Sequence, residues 1–171
     1  SKKNKFKKDY QIQKFLNQDL TEQYEPIRKI NSGEAIKKFA GKKYSEPGEN
    51  IEGTYLDELT MVPYGGNYLD LTDKKNHPDP RFTYGTRFWN FLLKLDPDKP
   101  SWTIAAQPGK WTGPFHWENR RLRIPEMAAL QSFPDDFKFY GTRSSIQMQI
   151  GNAVPPLLAE KIAKQVKKVL F

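Results

Sequence analysis

The sequence predicts an α+β fold, with an irregular, β-rich domain over residues 20–123 and a helical segment over residues 124–171. Two observations support this prediction. The middle of the chain is rich in Gly, Pro, Asn and Asp and has only short aromatic or β-branched runs, which is typical of loops and short strands. The C-terminal region has apolar residues at helical intervals instead. A chain of 171 residues is long enough for one ordinary domain or one lobe of a larger protein.

The N-terminal segment, residues 1–19, is predicted to be a basic arm or a docking segment. Residues 1–43 contain twelve Lys and Arg against five Asp and Glu, and therefore hold +7 of the net charge of +8. Such a charge favours polyanionic partners, of which nucleic acid is the commonest. A solvated arm that aids solubility explains the charge equally well.

The next elements are a short helix and a long irregular stretch. Ser32 is a plausible N-cap for a helix with Ile36 and Phe39 on one face, and Gly41 is suited to end it. Residues 42–75 are predicted to form loops and short strands.

The aromatic part of the chain follows, between Phe82 and Phe115. The best strand candidate is Trp102–Ala106, because its β-branched and aromatic residues follow a Pro-rich turn. All four tryptophans lie within one 29-residue stretch, and we expect Trp89 and Trp102 to belong to the core rather than to a stacking surface.

Two helices are predicted near the C-terminus. One covers about residues 125–133, and Pro134 ends it. The other begins at Pro155–Pro156, a pair suited to a first helical turn, and continues to about Leu170. Its apolar stripe needs a surface to pack against, which its own chain or a partner could supply.

The composition excludes several kinds of site. The chain has no cysteine, which rules out disulfides, thiolate metal sites and a cysteine nucleophile. With two histidines, His77 and His116, no metal centre is expected. No apolar run is long enough to cross a bilayer, so we expect no membrane association and a cytoplasmic protein.

Three stretches resemble the cytosine-5 DNA methyltransferase family. Residues 120–135 are similar to its block IX through eight matching positions, and residues 149–159 are similar to its block X almost throughout. Residues 97–106 resemble the part of its target-recognition domain that has a Thr-Ile or Thr-Leu pair, and His116 lies where many members have a histidine. The block IX matches are Arg120, Leu122, Glu126, Ala128, Leu130, Gln131, Phe133 and Pro134, whereas Arg123, Pro125 and Ala129 depart from the pattern.

The resemblance implies a target-recognition domain whose C-terminal helices complete the α/β methyltransferase domain of a partner. Block X closes one wall of the S-adenosylmethionine pocket in the family, and this role falls on Gly151, Asn152, Ala153 and Val154. The block IX helix is expected to be structural. Arg120 could be an internal ion-pair partner or a phosphate contact, and we favour the structural role.

The resemblance also implies contacts with double-stranded DNA. Thr103 and Ile104 are the candidates near the target nucleotide, because a Thr hydroxyl can hydrogen-bond a phosphate. Further candidates in the surrounding loops are Arg87, Lys99, Gln107 and Lys110. Asn67 and Arg81 join Arg87 and Gln107 as possible base-reading residues.

The chain is expected to need a partner for catalysis. The family's nucleophile is a cysteine after a proline, and this sequence has neither that cysteine nor the family's Gly-rich cofactor loop. No residue is therefore assigned a catalytic role. The chain could be one subunit of a split enzyme that pairs with a Cys-bearing catalytic subunit, or a part of a single-chain enzyme. A stand-alone regulatory DNA-binding module is the alternative from another class of protein.

Overall fold

The structure is a computed structural model that describes residues 31–39 and 46–170. The chain divides into two compact units, one spanning Ile30–Ala153 and the other combining Ser1–Lys29 with Val154–Phe171. The predicted basic arm over 1–19 and the helical interval over 5–20 lie outside the described residues. The predicted three-part division at 19/20 and 123/124 stays a prediction.

The described residues form five α-helices. The first unit contains α1 (Ser32–Ile36), α2 (Leu56–Met61), α3 (Ile124–Leu130) and α4 (Arg143–Asn152), and the second contains α5 (Pro156–Leu170). Short 3-10 helices occupy Lys37–Phe39, Tyr68–Leu71 and Asp73–Lys75. The helices predicted near residues 32, 125 and 156 are confirmed, and α2 and α4 were not predicted.

The predicted β-rich character is not confirmed in the described part of the chain. Pairing there is limited to four isolated bridges, which join Thr72 to Phe82, Phe91 to Thr112, Lys94 to Phe115, and Phe115 to Arg121. The predicted strand Trp102–Ala106 is not in a sheet. With 13 prolines and 11 glycines the chain turns too often for a ladder to extend.

The first core cluster lies in the loop-rich region. It contains Leu59 and Val62 of the α2 region together with Tyr68, Leu71, Leu92 and Phe115, all almost fully buried. Edge-to-face aromatic pairs surround it: the ring centroids of Tyr55 and Phe91 are 5.2 Å apart, and those of Phe82 and Phe91 are 5.7 Å apart. Such pairs stabilise a core beyond the area that they bury, which suits a region without a sheet.

A buried lysine lies at the end of α2. The Lys94 side chain is almost fully buried, and its Nζ donates to the carbonyl oxygen of Val62, the C-cap of α2, at 2.6 Å. Burial lowers the pKa of Lys94 to about 8. A positive charge at the C-terminal end of a helix interacts favourably with the helix dipole. The hydrogen bond from Lys94 to Val62 therefore holds the segment around Lys94 against the end of α2.

The second core cluster joins α3 and α4 to the segment before them. Leu95, Ile104, Leu122, Met127 and Ile150 are buried in it. Ala128, Leu130 and Phe133 pack against it, so the predicted structural role of these three residues and of Leu122 is confirmed. Ile104 is thereby held by the helices that follow it in the chain.

Helix α5, in the second unit, is amphipathic as predicted. Leu158, Ile162 and Val166 follow one another at intervals of four residues, and Glu160 pairs with Lys164 on its charged side. Ile162 and Val166 are 38% and 37% exposed.

Candidate functional site

Two of the predicted DNA-contacting residues line one surface groove. The groove has a volume of about 510 Å³, and its walls come from residues 88–93 and 102–113. Thr103 and Gln107 both line it and are exposed. The other lining residues are Phe88, Trp89, Asn90, Leu93, Trp102, Ala105, Pro108, Gly109, Thr112 and Gly113.

The prediction that Trp89 and Trp102 belong to the core is wrong. Their side chains are 49% and 44% exposed, and the two rings pack edge to face with centroids 4.7 Å apart. A second groove of about 510 Å³ has the same two tryptophans in its wall, together with Tyr64, Asn67 and Lys75 among others. The tryptophan pair therefore belongs to the walls of two surface grooves.

Phe88 was missed by sequence reasoning. It is 87% exposed, more than any other large hydrophobic residue in the described part of the chain. Gly85, three residues earlier, has a positive φ of 77°, and a Cβ at this position would meet no atom within 4 Å, which identifies an open turn. The turn was visible in the sequence as a Tyr-Gly-Thr run, but its effect on Phe88 was not.

The three predicted cations are not among the residues that line this groove, and each has a different partner. Arg87 donates to the Tyr55 hydroxyl at 3.3 Å, and its guanidinium lies 5.5 Å from the Phe91 ring centroid. The Lys110 ammonium lies 5.7 Å from the Trp111 ring centroid. Lys99 pairs with Asp96 at 2.9 Å, and this pairing raises the pKa of Lys99. All three side chains are exposed.

Ile104 and Thr103 have opposite surroundings. Thr103 is exposed, whereas Ile104 is 5% exposed and belongs to the second core cluster. The buried Ile104 anchors the segment, so that the neighbouring Thr103 faces solvent.

Asn67 and Arg81, the remaining base-reading candidates, already have partners within the protein. Asn67 caps the 3-10 helix Tyr68–Leu71 through its side chain, and its Nδ2 donates to the Trp89 carbonyl oxygen at 2.7 Å. Arg81 pairs with Asp79 at 3.2 Å on the surface. The side chain of Asn67 therefore has a structural role that holds Trp89.

Helix α4 brings the block X residues against the groove segment. A Cβ on Gly151 would lie 2.6 Å from the Ala106 Cα atom and 2.9 Å from the Ala105 carbonyl carbon, so only glycine fits there. Gln147 Nε2 donates to the Ala105 oxygen at 3.4 Å, and Gln107 Nε2 contacts the Met148 sulfur at 3.1 Å. The end of α4 and residues 105–107 therefore form one packed element.

The residues after Gly151 face outward. Asn152 is exposed, and its side-chain amide makes no hydrogen bond within the described residues. Ala153 is half-buried, and Val154, which begins the second unit, is 61% exposed. An amide that can donate and accept at once is free to meet a ligand here.

A buried ion network holds α3 beside this region. Arg120 Nη1 and Nη2 donate to the two carboxylate oxygens of Glu126, each at 2.9 Å, and Glu126 is almost fully buried. Burial would raise the pKa of Glu126, but hydrogen bonds from Arg120 and the Arg123 backbone hold it below its ordinary value. The structural role predicted for Arg120 is confirmed.

The same network includes residues that the sequence did not single out. Glu49 accepts from Arg123 at 2.6 Å, and this bond lowers the pKa of the Glu49 carboxyl. Glu46 pairs with Arg143 of α4 and accepts from the Ile124 backbone N–H at 2.9 Å. The acids before α2 thus connect the starts of α3 and α4.

His116 is buried in the network as a neutral ring. Its Nδ1 accepts from the Glu118 N–H at 3.0 Å, and its Nε2 lies 3.9 Å from Glu126. Burial, reinforced by the positive charge of Arg120, lowers the pKa of His116 to about 4.

A metal site and a membrane-spanning helix are both absent from the part of the chain that the structure describes. No group of three or more His, Cys, Asp and Glu side chains could hold a metal ion. Among the same residues, no helix is long and apolar enough to cross a membrane.

The family model for C-5 cytosine-specific DNA methylases matches residues 2–168. The chain belongs to this family. It is 44% identical to the type II methyltransferase M.SacI of Streptomyces achromogenes over 135 residues, which cover 73% of this chain and 34% of that protein. It is 50% identical to the type II methyltransferase M1.HphI of Haemophilus parahaemolyticus over 115 residues, 67% of this chain and 28% of the relative.

A third relative differs in how much of it is matched. The chain is 35% identical to the type II methyltransferase M.AquIB of Picosynechococcus sp. over 128 residues, which cover 68% of this chain but 81% of M.AquIB. The chain thus spans about a third of the length of relatives such as M.SacI and most of the length of M.AquIB.

Proposed function

We propose that this chain is the DNA-recognition and cofactor-pocket-completing part of a DNA (cytosine-5-)-methyltransferase. The whole enzyme would transfer a methyl group from S-adenosylmethionine to cytosine within a specific duplex sequence. The observation that supports this most directly is a family match over residues 2–168 in a chain without cysteine. M.AquIB, of which 81% is matched, is a relative made up mostly of this part of the family.

On the DNA side, the exposed Thr103 and Gln107 are the contacts at the groove, and Ile104 positions them from the core. Arg87 and Lys110 contribute phosphate contacts, which orient the duplex without reading its sequence. Lys99 contributes a contact only after it leaves Asp96. The residues that read bases come from the loops of the proposed recognition region, residues 20–123.

On the cofactor side, Asn152, Ala153 and Val154 form one wall of the S-adenosylmethionine pocket. The Asn152 amide hydrogen-bonds the cofactor, because its exposed side chain has no bond to lose within the described residues. Gly151 supports this wall through its packing on Ala105 and Ala106. When bound, S-adenosylmethionine supplies the methyl group, and residues 124–171 complete the domain that holds it.

The nucleophile comes from another part of the enzyme. Methylation of carbon 5 needs a thiolate that adds to carbon 6 of a cytosine taken out of the stack, and no side chain here can supply one. The chain alone is therefore inactive. Its partners are double-stranded DNA and a Cys-bearing catalytic part, in a cytoplasmic restriction-modification system.

The test is methyl transfer from labelled S-adenosylmethionine to mixed-sequence duplex DNA. The chain is assayed alone and after co-purification from its source cells. We expect activity only in the co-purified sample, together with a cysteine-containing polypeptide of the same family. Activity of the pure chain would overturn the proposal. Specific DNA binding with no activity in either sample would favour the stand-alone DNA-binding module.

Two matched variants test the cofactor wall in the active sample. Asn152→Ala removes an exposed amide that has no partner in the described residues, so we expect weaker cofactor binding and an unchanged unfolding transition. Ser144→Ala makes a similar change at an exposed position earlier in α4 and should leave cofactor binding unchanged.

A further inference from the structure

We propose that a small cavity lined by Arg121 and Arg143 binds one small monovalent anion, with chloride as its representative. Both arginines line this cavity and neither lines the groove of the candidate DNA contacts. The inference goes beyond the proposed function and does not depend on it, because the ligand is a free ion and not a part of the DNA or the cofactor.

The size and lining of the cavity limit what it can hold. Its volume of about 30 Å³ has room for one or two water-sized particles and not for a nucleotide. Arg121 and Arg143 supply guanidinium groups, and Thr112 and Gln147 supply a hydroxyl and an amide. None of the lining residues is acidic. The polar part of the lining therefore consists of groups that can donate to an anion.

The charges around the cavity do not balance. Arg143 pairs with Glu46 and donates to the Leu122 carbonyl oxygen, so its charge is compensated. Arg121 forms no ion pair within the described residues, and its Nη2 donates to the Lys110 carbonyl oxygen at a long 3.3 Å. Two arginines against one glutamate leave a single positive charge, which one monovalent anion would compensate.

Burial makes this excess charge unfavourable without a counterion. Arg121 is half-buried, and three apolar residues that also line the cavity, Phe115, Leu122 and Met127, are almost fully buried. Burial, reinforced by the positive charge of Arg143, lowers the pKa of Arg121 below its ordinary value. A guanidinium does not deprotonate in a protein, so the charge stays and attracts an anion more strongly than it would in water.

The available donors suit a spherical ion. The Thr112 hydroxyl makes no hydrogen bond within the described residues, and Gln147 Nε2 donates to the Ala105 oxygen at a long 3.4 Å. Both groups are free to turn a hydrogen toward an ion that accepts from every direction. A phosphate of DNA has two sugars attached, which the cavity has no room for. Water would fill the volume but leave the positive charge uncompensated.

Such an ion would join two parts of the chain. Gly109, Thr112 and Gly113 belong to the loop that contains Lys110, whereas Arg143 begins α4. The unfolded chain has no such cavity, so an anion that binds here stabilises the folded protein in proportion to the logarithm of its concentration.

The experiment follows the thermal unfolding midpoint of the full chain by circular dichroism while chloride replaces fluoride at constant ionic strength. Constant ionic strength keeps the screening of surface charges equal, and fluoride holds its hydration shell too strongly to enter the cavity. We expect each tenfold rise in chloride above its Kd to raise the midpoint by about 3–5 °C. Equal midpoints in the two salts would overturn the inference.

Variants connect the chloride effect to the cavity. Arg121→Gln should abolish it, because the uncompensated charge is gone, and Arg121→Lys should retain part of it. Arg81→Gln removes an exposed arginine outside the cavity and should keep the full effect. A full chloride effect in Arg121→Gln would overturn the inference.

Anomalous diffraction from wild-type crystals grown in bromide tests the site without any variant. We expect one peak between the guanidinium groups of Arg121 and Arg143, and its absence would overturn the inference. Loss of the peak on co-crystallisation with duplex DNA would replace the free ion by a DNA phosphate, which overturns this inference but leaves the proposed DNA recognition intact.

Discussion

Gly151 touches the backbone of Ala106 so closely that a methyl group at position 151 would lie 2.6 Å from both the Ala106 nitrogen and its Cα atom. Gly151, which the resemblance placed in the wall of the cofactor pocket, thus makes a close contact inside the protein. Through it, the last turn of α4 sets the position of the segment that contains Thr103 and Gln107.

Gly151→Ala should shift this segment. Backbone atoms cannot move aside as a flexible side chain would, so we expect a loss of about 1–3 kcal/mol in the free energy of unfolding, together with weaker DNA binding. Denaturant unfolding and anisotropy measure the two effects. Ser144→Ala, an exposed change in the same helix, should alter neither. An unaltered Gly151→Ala protein would contradict the tight packing.

Arg120 and Glu126 should behave as a coupled pair. Arg120→Ala leaves a buried carboxylate without its bidentate partner, so we expect a loss of about 3–5 kcal/mol in the free energy of unfolding. Arg120→Lys should also be destabilising, because an ammonium cannot reproduce the two parallel bonds. In a double-mutant cycle, Arg120→Met with Glu126→Leu should cost less than the sum of the single changes. Simple additivity would mean that the pair is not coupled.

Stability should fall on mild acidification because of His116. The pKa of this ring is about 4 in the folded protein and ordinarily near 6.5, so the unfolded state binds the proton more readily. The contribution is complete above the unfolded pKa and is lost as the pH falls from about 6.5 toward 4. At about pH 5 we expect a loss of about 2 kcal/mol relative to pH 7, measured by denaturant unfolding.

His116→Gln is the matched variant for that measurement. It keeps a side chain that can hydrogen-bond but removes the titrating ring beside Glu118, Arg120 and Glu126. Its stability should depend less on pH in this window than that of the wild type. An equally steep dependence would assign the acid sensitivity to other groups.

Arg87 and Lys110 should contribute to DNA affinity through phosphate contacts. Changing either to Gln should lower the slope of log K against log salt by about 0.9, the value for one lost phosphate contact on duplex DNA. Lys99→Gln should have a smaller effect, because Asp96 competes for its ammonium. Lys37→Gln, the same charge change at a 77% exposed side chain, is the control. A slope equal to that of the wild type for Arg87→Gln and Lys110→Gln would remove both residues from the interface.

The sequence predicted the helices that have strong local signals. Pro155–Pro156 before an apolar stripe and the short apolar pattern after Arg123 located α5 and α3 closely, and α1 begins where expected. Its cap is Asn31 rather than Ser32, because the Asn31 side chain accepts from the Glu34 N–H at 2.7 Å. Helix α4 was missed because its sequence, Arg-Ser-Ser-Ile-Gln-Met-Gln-Ile-Gly-Asn, has no clear apolar stripe.

Tertiary features were harder to predict. A Trp that follows a Pro-rich turn is typical of a strand, yet Trp102 is 44% exposed, whereas Ile104, two residues later, is buried in the second core cluster. The pairing of Glu46 with Arg143 joins residues 97 positions apart, and no local pattern indicates it. The block X match singled out Gly151, but nothing in the sequence indicated that this glycine packs on Ala105 and Ala106.

The segment that contains Thr103 is also attached to the fold at its N-terminal end, through residues 97–99. Ser32 donates to the Lys99 carbonyl oxygen through its backbone N–H at 2.7 Å and through its hydroxyl at 2.9 Å, and the Gly33 N–H donates to the Pro97 oxygen at 2.8 Å. Helix α1 holds residues 97–99 and α4 holds residues 105–106, so the short stretch between them is attached to the fold at both ends. Substitutions at Trp102 or Thr103 should therefore change the surface of the groove while both attachments and the buried Ile104 stay in place.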